Sequence, residues 1–218
     1  FQANYTYSKT IDLAAYSTSA FTDGVNDYRC IPCNRSTSLL SVPHVFIANF
    51  IYETPGLKGS NAIARGALGG WQLSGIYRAQ SGAPFTILSG TTTSWDNRGR
   101  DYPDYASDDH VVHTHPGNLT NYLDASDFVA APQGTKGNVG RTPAYGPGVN
   151  TWDLGLSKSF RFAERYKVQF RWEMFNAFNR ATFNLPNANY SSSAFGLINS
   201  TNPGYPPRVM QAALKFYF

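Results

Sequence analysis

Between residues 150 and 178 the chain reads NTWDLGLSKSFRFAERYKVQFRWEMFNAF, and no other stretch limits its fold as sharply. In the first arm Trp152, Leu154, Leu156, Phe160 and Phe162 are apolar, while Thr151, Asp153, Ser157, Ser159 and Arg161 between them are polar. A period of two is that of a β-strand. The second arm repeats it, with Tyr166, Val168, Phe170, Trp172 and Met174 on one face and Lys167, Gln169, Arg171 and Glu173 on the other. The polar turn Ala163-Glu164-Arg165 joins the arms into a hairpin.

The arms, 150–162 and 166–178, are about twice the ~5–6 residues of an ordinary soluble strand. They exceed the ~9–11 tilted residues that cross a bilayer. Inverting the second arm would put Lys167 and Arg171 into lipid at ~2–4 kcal/mol each near the midplane, with Glu173 adding less. These costs set the facing. Asp153, Arg161, Lys167, Arg171 and Glu173 are expected to look into a lumen, and Trp152, Leu154, Leu156, Phe160, Phe170 and Trp172 toward lipid or the interface. Lys158 shares the apolar parity, so it needs an interfacial position where it can snorkel, or a bulge.

The rest of the chain is compatible with this. No apolar run reaches the length of a membrane-crossing helix, but alternating barrel strands need none. The 218 residues carry 18 Lys and Arg against 14 Asp and Glu with no basic run, which argues against a nucleic-acid partner. The N-terminal FQANYTYSK reads as a strand rather than a secretion signal, which is expected to have been removed or to lie in sequence outside this stretch. Strands are predicted at about 1–11, 42–53, 71–88, 150–162, 166–178 and 208–218, with Gly75, Gly82 and Pro84 suggesting bends or a bulge in the third. Long loops at 12–41, 89–149 and 179–207 alternate with short connections. The fold class is therefore all-β, an antiparallel up-and-down section of a transmembrane barrel with its long loops on one side. A soluble β-sandwich would use the same alternation for a core, but fits poorly with the stretch 89–149.

Candidate chemistry is sparse. Cys30 and Cys33, in a polar Cys-Ile-Pro-Cys loop without a βαβ context, suggest a local disulfide, with a metal half-site as the alternative. In DDHVVHTH, an extended backbone would put His113 and His115 on one face. With His110 and Asp109 they form a set that suits a transition metal; the plain alternative is a solvated loop. The acidic set Asp96, Asp101, Asp104, Asp108 and Asp109 offers calcium an irregular set of ligands in the same loop, 89–149. No other cofactor is expected. The chain lacks Gly-x-Ser-x-Gly, His-Glu-x-x-His and a phosphate-cradling glycine loop, so no enzyme is expected.

The runs GNVGRTPAYGPGVNTWDLGLSKSFRF, YKVQFRWEMFNAFNRATFNLPN and RVMQAALKFYF, together with VPHVFIANFIYETP and GGWQLSGIYRAQSGAPFTI, resemble the C-terminal end of TonB-dependent outer-membrane receptors. Within that family they are most similar to the Oar-like, carboxypeptidase-regulatory-like-domain subgroup of acidobacterial type. The resemblance implies energy-coupled uptake of a bulky solute across the bacterial outer membrane. It also implies that Leu214, Phe216 and Phe218 form the signal read by the outer-membrane assembly machinery. Such a receptor is a plugged barrel of about 22 strands, whereas six cannot close a transmembrane barrel. The expected partners are thus the membrane and the remaining strands of a parent chain. The alternative is a structural subunit of an extracellular filament or tube, in which identical copies pair through strand edges.

Overall fold

The computed structural model describes residues 1–13, 30–55, 68–95, 100–162 and 165–218. Six antiparallel strands form its main sheet: β1 (Gln2–Tyr7), β2 (His44–Glu53), β3 (Trp71–Gln80), β4 (Val149–Phe162), β5 (Tyr166–Phe175) and β6 (Val209–Tyr217). They lie side by side in chain order, as an up-and-down meander requires. The fold expected from the alternation is the one observed.

Register keeps parity across the whole sheet. Leu156 faces Leu73 on one side and Trp172 on the other, and Trp172 in turn faces Ala212. Leu154 likewise lies between Gly75 and Met174. One face is therefore apolar from β1 to β6, and the other carries the polar set. Ring contacts gather toward two ends of the apolar face. At the long-loop end Tyr77 stacks on Trp152 at 4.4 Å, with Phe46 and Phe178 against them. At the turn end Trp71 meets Phe170, and Tyr166, Phe216 and Phe218 stack in series.

The ladders resolve two sequence-level ambiguities. Lys158 pairs in an unbroken register with Trp71 and Phe170, so no bulge accommodates it. Its ammonium instead lies 5.0 Å from the Trp71 ring centroid and 5.2 Å from that of Phe160, a cation–π setting near the turn end. Gly75 does not mark a bulge either, since β3 pairs continuously with both neighbours. A Cβ on Gly75 would come within 2.4 Å of the Phe50 ring, so the glycine makes room for a cross-strand aromatic.

Three strands end earlier than the alternation predicts. β3 stops at Gln80, beyond which Gly82 packs against the Gly146 carbonyl too closely for any side chain. β5 stops at Phe175 because Asn176 takes a left-handed backbone, φ 48°, with its N–H donated to Asp153 Oδ1 at 2.9 Å. β1 ends at Tyr7, and Ile11–Asp12 pairs separately with Ser36–Thr37.

The main correction concerns the long loops. The stretch 89–149, read above as loop, folds with the segment 183–201 into a cap with its own core. Ile87, Leu123 and Phe128 are at most 2% exposed and pack with Phe85, Tyr102, Tyr122, Val139, Ala144 and Ile198. Short turns supply most of its order. Asn118 Oδ1 accepts the N–H groups of Thr120 and Asn121, and Asp124 Oδ1 accepts that of Ser126. Abundant Asn, Asp and Ser here act as local turn formers. Backbone bonds from Tyr122 to Gly196 and from Ile198 to Leu119 join the two segments. Arg141, with its side chain 2% exposed, fixes the first loop to the same body through Asp12 Oδ1 and the Asn34 carbonyl, both at 2.9 Å. All three long connections thus meet at one end of the sheet.

Candidate functional site

The sheet's polar face carries every residue expected to look into a lumen. At its long-loop end lies a cavity of about 580 Å³. Ile47, Ile76, Phe175 and Val209 line it together with polar residues that include Arg78, Asp153, Asn176 and Tyr205. Arg78 donates through Nε and Nη2 to Gln80 Oε1 at 3.0 and 2.6 Å, and Gln80 Nε2 bonds the Tyr205 hydroxyl at 3.4 Å. The Asn176 side chain is buried and ties the strap formed by residues 202–208 to the end of β5, donating to the carbonyls of Arg180 and Pro206. Midway down, Arg171 pairs with Glu173, which also accepts from Gln211. At the turn end Arg161 and Lys167 line a second cavity of about 320 Å³. Arg78, Asn176 and Tyr205 escaped sequence reasoning because a loop returning at 202–208 brings Tyr205 over the sheet. No spacing records that.

On the opposite face Trp152, Leu154, Leu156, Phe160, Phe170 and Trp172 share one surface, as expected. Leu214 and Phe216 continue it at 73% and 58% exposure, and Phe218 lies at its end with 91%.

The loop candidates fare differently. Cys30 and Cys33 are joined as a disulfide, with Cα atoms 5.3 Å apart. The set His110, His113, His115 and Asp109 is not gathered, and among the described residues no three His, Cys, Asp or Glu side chains form a metal-sized cluster. The extended backbone assumed for it breaks at His110, whose φ is 53° and whose ring stacks on Tyr105 at 4.7 Å. His113 turns to Asp127, and Asp109 to Ser107. The calcium set fails for a related reason. Asp101 is 1% exposed, and its carboxylate accepts the N–H groups of Thr93 and Ser94 and both their hydroxyls. It is thus saturated by its own turn. Asp104 caps the Asn138 N–H, and Asp96 lies outside the described residues, as does the turn at 163–164.

The His113 contact carries a pH prediction. Asp127 accepts from the His113 N–H, and its other oxygen meets Nδ1 at 2.8 Å. That hydrogen bond, followed by the carboxylate's charge, raises the imidazole pKa above its ordinary value. A raised folded-state pKa means that this stabilisation is fully present below the unfolded value of about 6.5 and is lost as pH rises through the folded one. Asp124 titrates in the opposite sense, held low first by the Ser126 N–H. Hydrogen exchange, corrected for its intrinsic pH dependence, should show the 113–127 amides better protected at pH 6 than at pH 8 in the native chain. His113→Ala should remove the difference. Equal protection in the native chain would contradict the clasp.

Comparison with known proteins agrees with this geometry. Residues 1–211 match the family described as outer membrane beta barrel domain. No curated protein and no solved structure matches the chain.

Proposed function

Because the chain belongs to the outer membrane beta-barrel domain family, and so resides in the bacterial outer membrane, we propose that it is the C-terminal barrel segment of a TonB-dependent transporter for a bulky solute. The observation that carries the reading is the arrangement of the two ends. Among the described residues the three long connections are joined at one end of the sheet, by the cap core and by Arg141 with Asp12 and Asn34, while the connections at the other end, 54–70 and 163–165, are shorter in sequence. A channel wall that recognises a solute outside the cell needs an elaborate outer end and a plain inner one. The cavity of about 580 Å³ beneath the strap at 202–208 gives a solute a place on that wall. The runs shared with TonB-dependent receptors support the same reading, and the polar face, with its Arg171–Glu173 pair, suits contact with water or a plug. The protein acts by binding and passage, not by catalysis.

The filament reading draws on a different feature. β1 and β6 each have a single strand neighbour in the described sheet, so both outer edges offer backbone groups for pairing. Intact mass and shape of the native particle separate the two. The transporter reading expects a polypeptide several-fold heavier than 24.0 kDa in a detergent-dependent particle, and, in cells that carry it, solute uptake that stops when the proton gradient is collapsed. A 24.0 kDa polypeptide in a detergent-free polymer would remove transport and leave strand pairing between copies.

A further inference from the structure

At the turn end of the polar face, β4 and β5 place Arg161 directly opposite Lys167. Directly opposed side chains in an antiparallel pair have Cβ atoms about 4.5–5.5 Å apart, and like charges there destabilise the ladder. Lys215 adds a third cation diagonally, since Gln169 between them is its register partner. Among the described residues, Arg161 and Lys167 form no ion pair. The Lys167 ammonium lies 5.4 Å from the Tyr217 ring centroid. A sequence under no other demand would place a glutamate at one of these positions.

Both cations line the cavity of about 320 Å³, as do Lys158, whose ammonium is turned to the Trp71 and Phe160 rings, and one carboxylate, that of Glu53. That carboxylate is held two strands away. Ser157 Oγ donates to Gln72 Oε1 at 3.2 Å, and Gln72 Nε2 donates to Glu53 Oε1 at 3.2 Å, a relay that holds the acid on the β2 side. Gln169 has its carbonyl oxygen taken by the Tyr217 hydroxyl at 3.4 Å, so its amide N–H groups are the part of the side chain left for a ligand. Ser159 adds a hydroxyl to the same wall.

We propose that this cavity binds a phosphate group carried on a small solute, with Arg161 and Lys167 as its charge partners and Gln169 and Ser159 as neutral donors. Two cations that form no ion pair among the described residues, with further donors beside them, suit a dianion that has at least three acceptor oxygens. The site does not depend on transport. It requires only that the polar face be accessible to water.

The test uses the native particle in detergent, with inorganic phosphate as the probe at pH 7.5 against sodium chloride of matched ionic strength. Phosphate at about ten times its Kd should shift the unfolding equilibrium about tenfold toward the folded state, and calorimetry should show saturable binding. Lys167→Glu should do two opposite things: raise the unfolding temperature in chloride, by replacing repulsion with attraction, and weaken phosphate binding at least tenfold. A Lys167→Glu particle less stable than the native one would overturn the proposal, as would undiminished phosphate binding in it or a native particle indifferent to phosphate. Succinate is the comparison anion. If it binds and phosphate does not, the phosphate assignment falls. A purely screening effect would appear equally in chloride and would also overturn it.

Discussion

Leu156→Arg should largely prevent stable insertion of the barrel. Leu156 lies at the middle of β4, the longest strand, and its register partners Leu73 and Trp172 are both on the apolar face. An arginine facing lipid near the midplane costs about 2–4 kcal/mol. The lower figure already shifts a folding equilibrium more than tenfold. The neighbouring Ser157→Arg adds the same charge one residue on, to a face where Ser157 already bonds Gln72. It should insert at close to native yield. The comparison is read as the fraction of protein folded in purified outer membranes. Equal losses in the two variants would mean that the sheet is buried on both faces. Equal tolerance would mean that neither face meets lipid.

Phe128→Ala should unfold the cap while leaving the sheet in place. Phe128 is 2% exposed and packs edge-on against Tyr190 at 6.1 Å and Phe195 at 5.8 Å, joining the two cap segments. Its backbone carbonyl also accepts the Tyr190 hydroxyl at 2.9 Å. Truncating a buried phenylalanine costs about 3–5 kcal/mol, a large share of what so small a core can supply. Because every buried residue of the cap's core cluster lies outside the six strands, it should open as a separate unit. Limited proteolysis should cut the variant within 104–139, with its sheet signal in circular dichroism unchanged. A cap as resistant as the native one would show that the aromatic cluster does not hold it.

What the sequence disclosed follows from how local each signal is. The hairpin was legible because a period of two survives in the residues themselves, and from Leu154 to Phe162 each apolar side chain of β4 meets an apolar residue of β5, with Lys158 opposite Phe170 as the exception. That exception could not be decided from spacing alone. The Trp71 ring that receives the ammonium comes from a strand about 80 residues earlier, and only the register brings it there. The cap was not legible, since Ile87, Leu123, Phe128 and Ile198 recur with no period and meet through turns. The histidine set misled for a backbone reason: its geometry assumed an extended chain, and the left-handed His110 removes that. Strand ends were overrun where a single residue, Asn176, reverses the backbone after apolar alternation has nearly run its course. That Asp153, Arg161, Lys167, Arg171 and Glu173 share one face of the sheet was legible from the same period. The opposition of Arg161 to Lys167 was implicit in the hairpin, but its meaning depended on Glu53 being held elsewhere.

The facing of the sheet is best tested by spin labels placed singly at each position of β5, 166 to 175, in native membranes. Collision with oxygen reports lipid, and collision with a water-soluble nickel chelate reports an aqueous lumen. The account predicts a strict alternation, with oxygen favoured at positions 168, 170, 172 and 174 and the chelate at 167, 169, 171 and 173. A flat profile along β5, or the opposite phase, would contradict a barrel wall with its apolar face in the membrane.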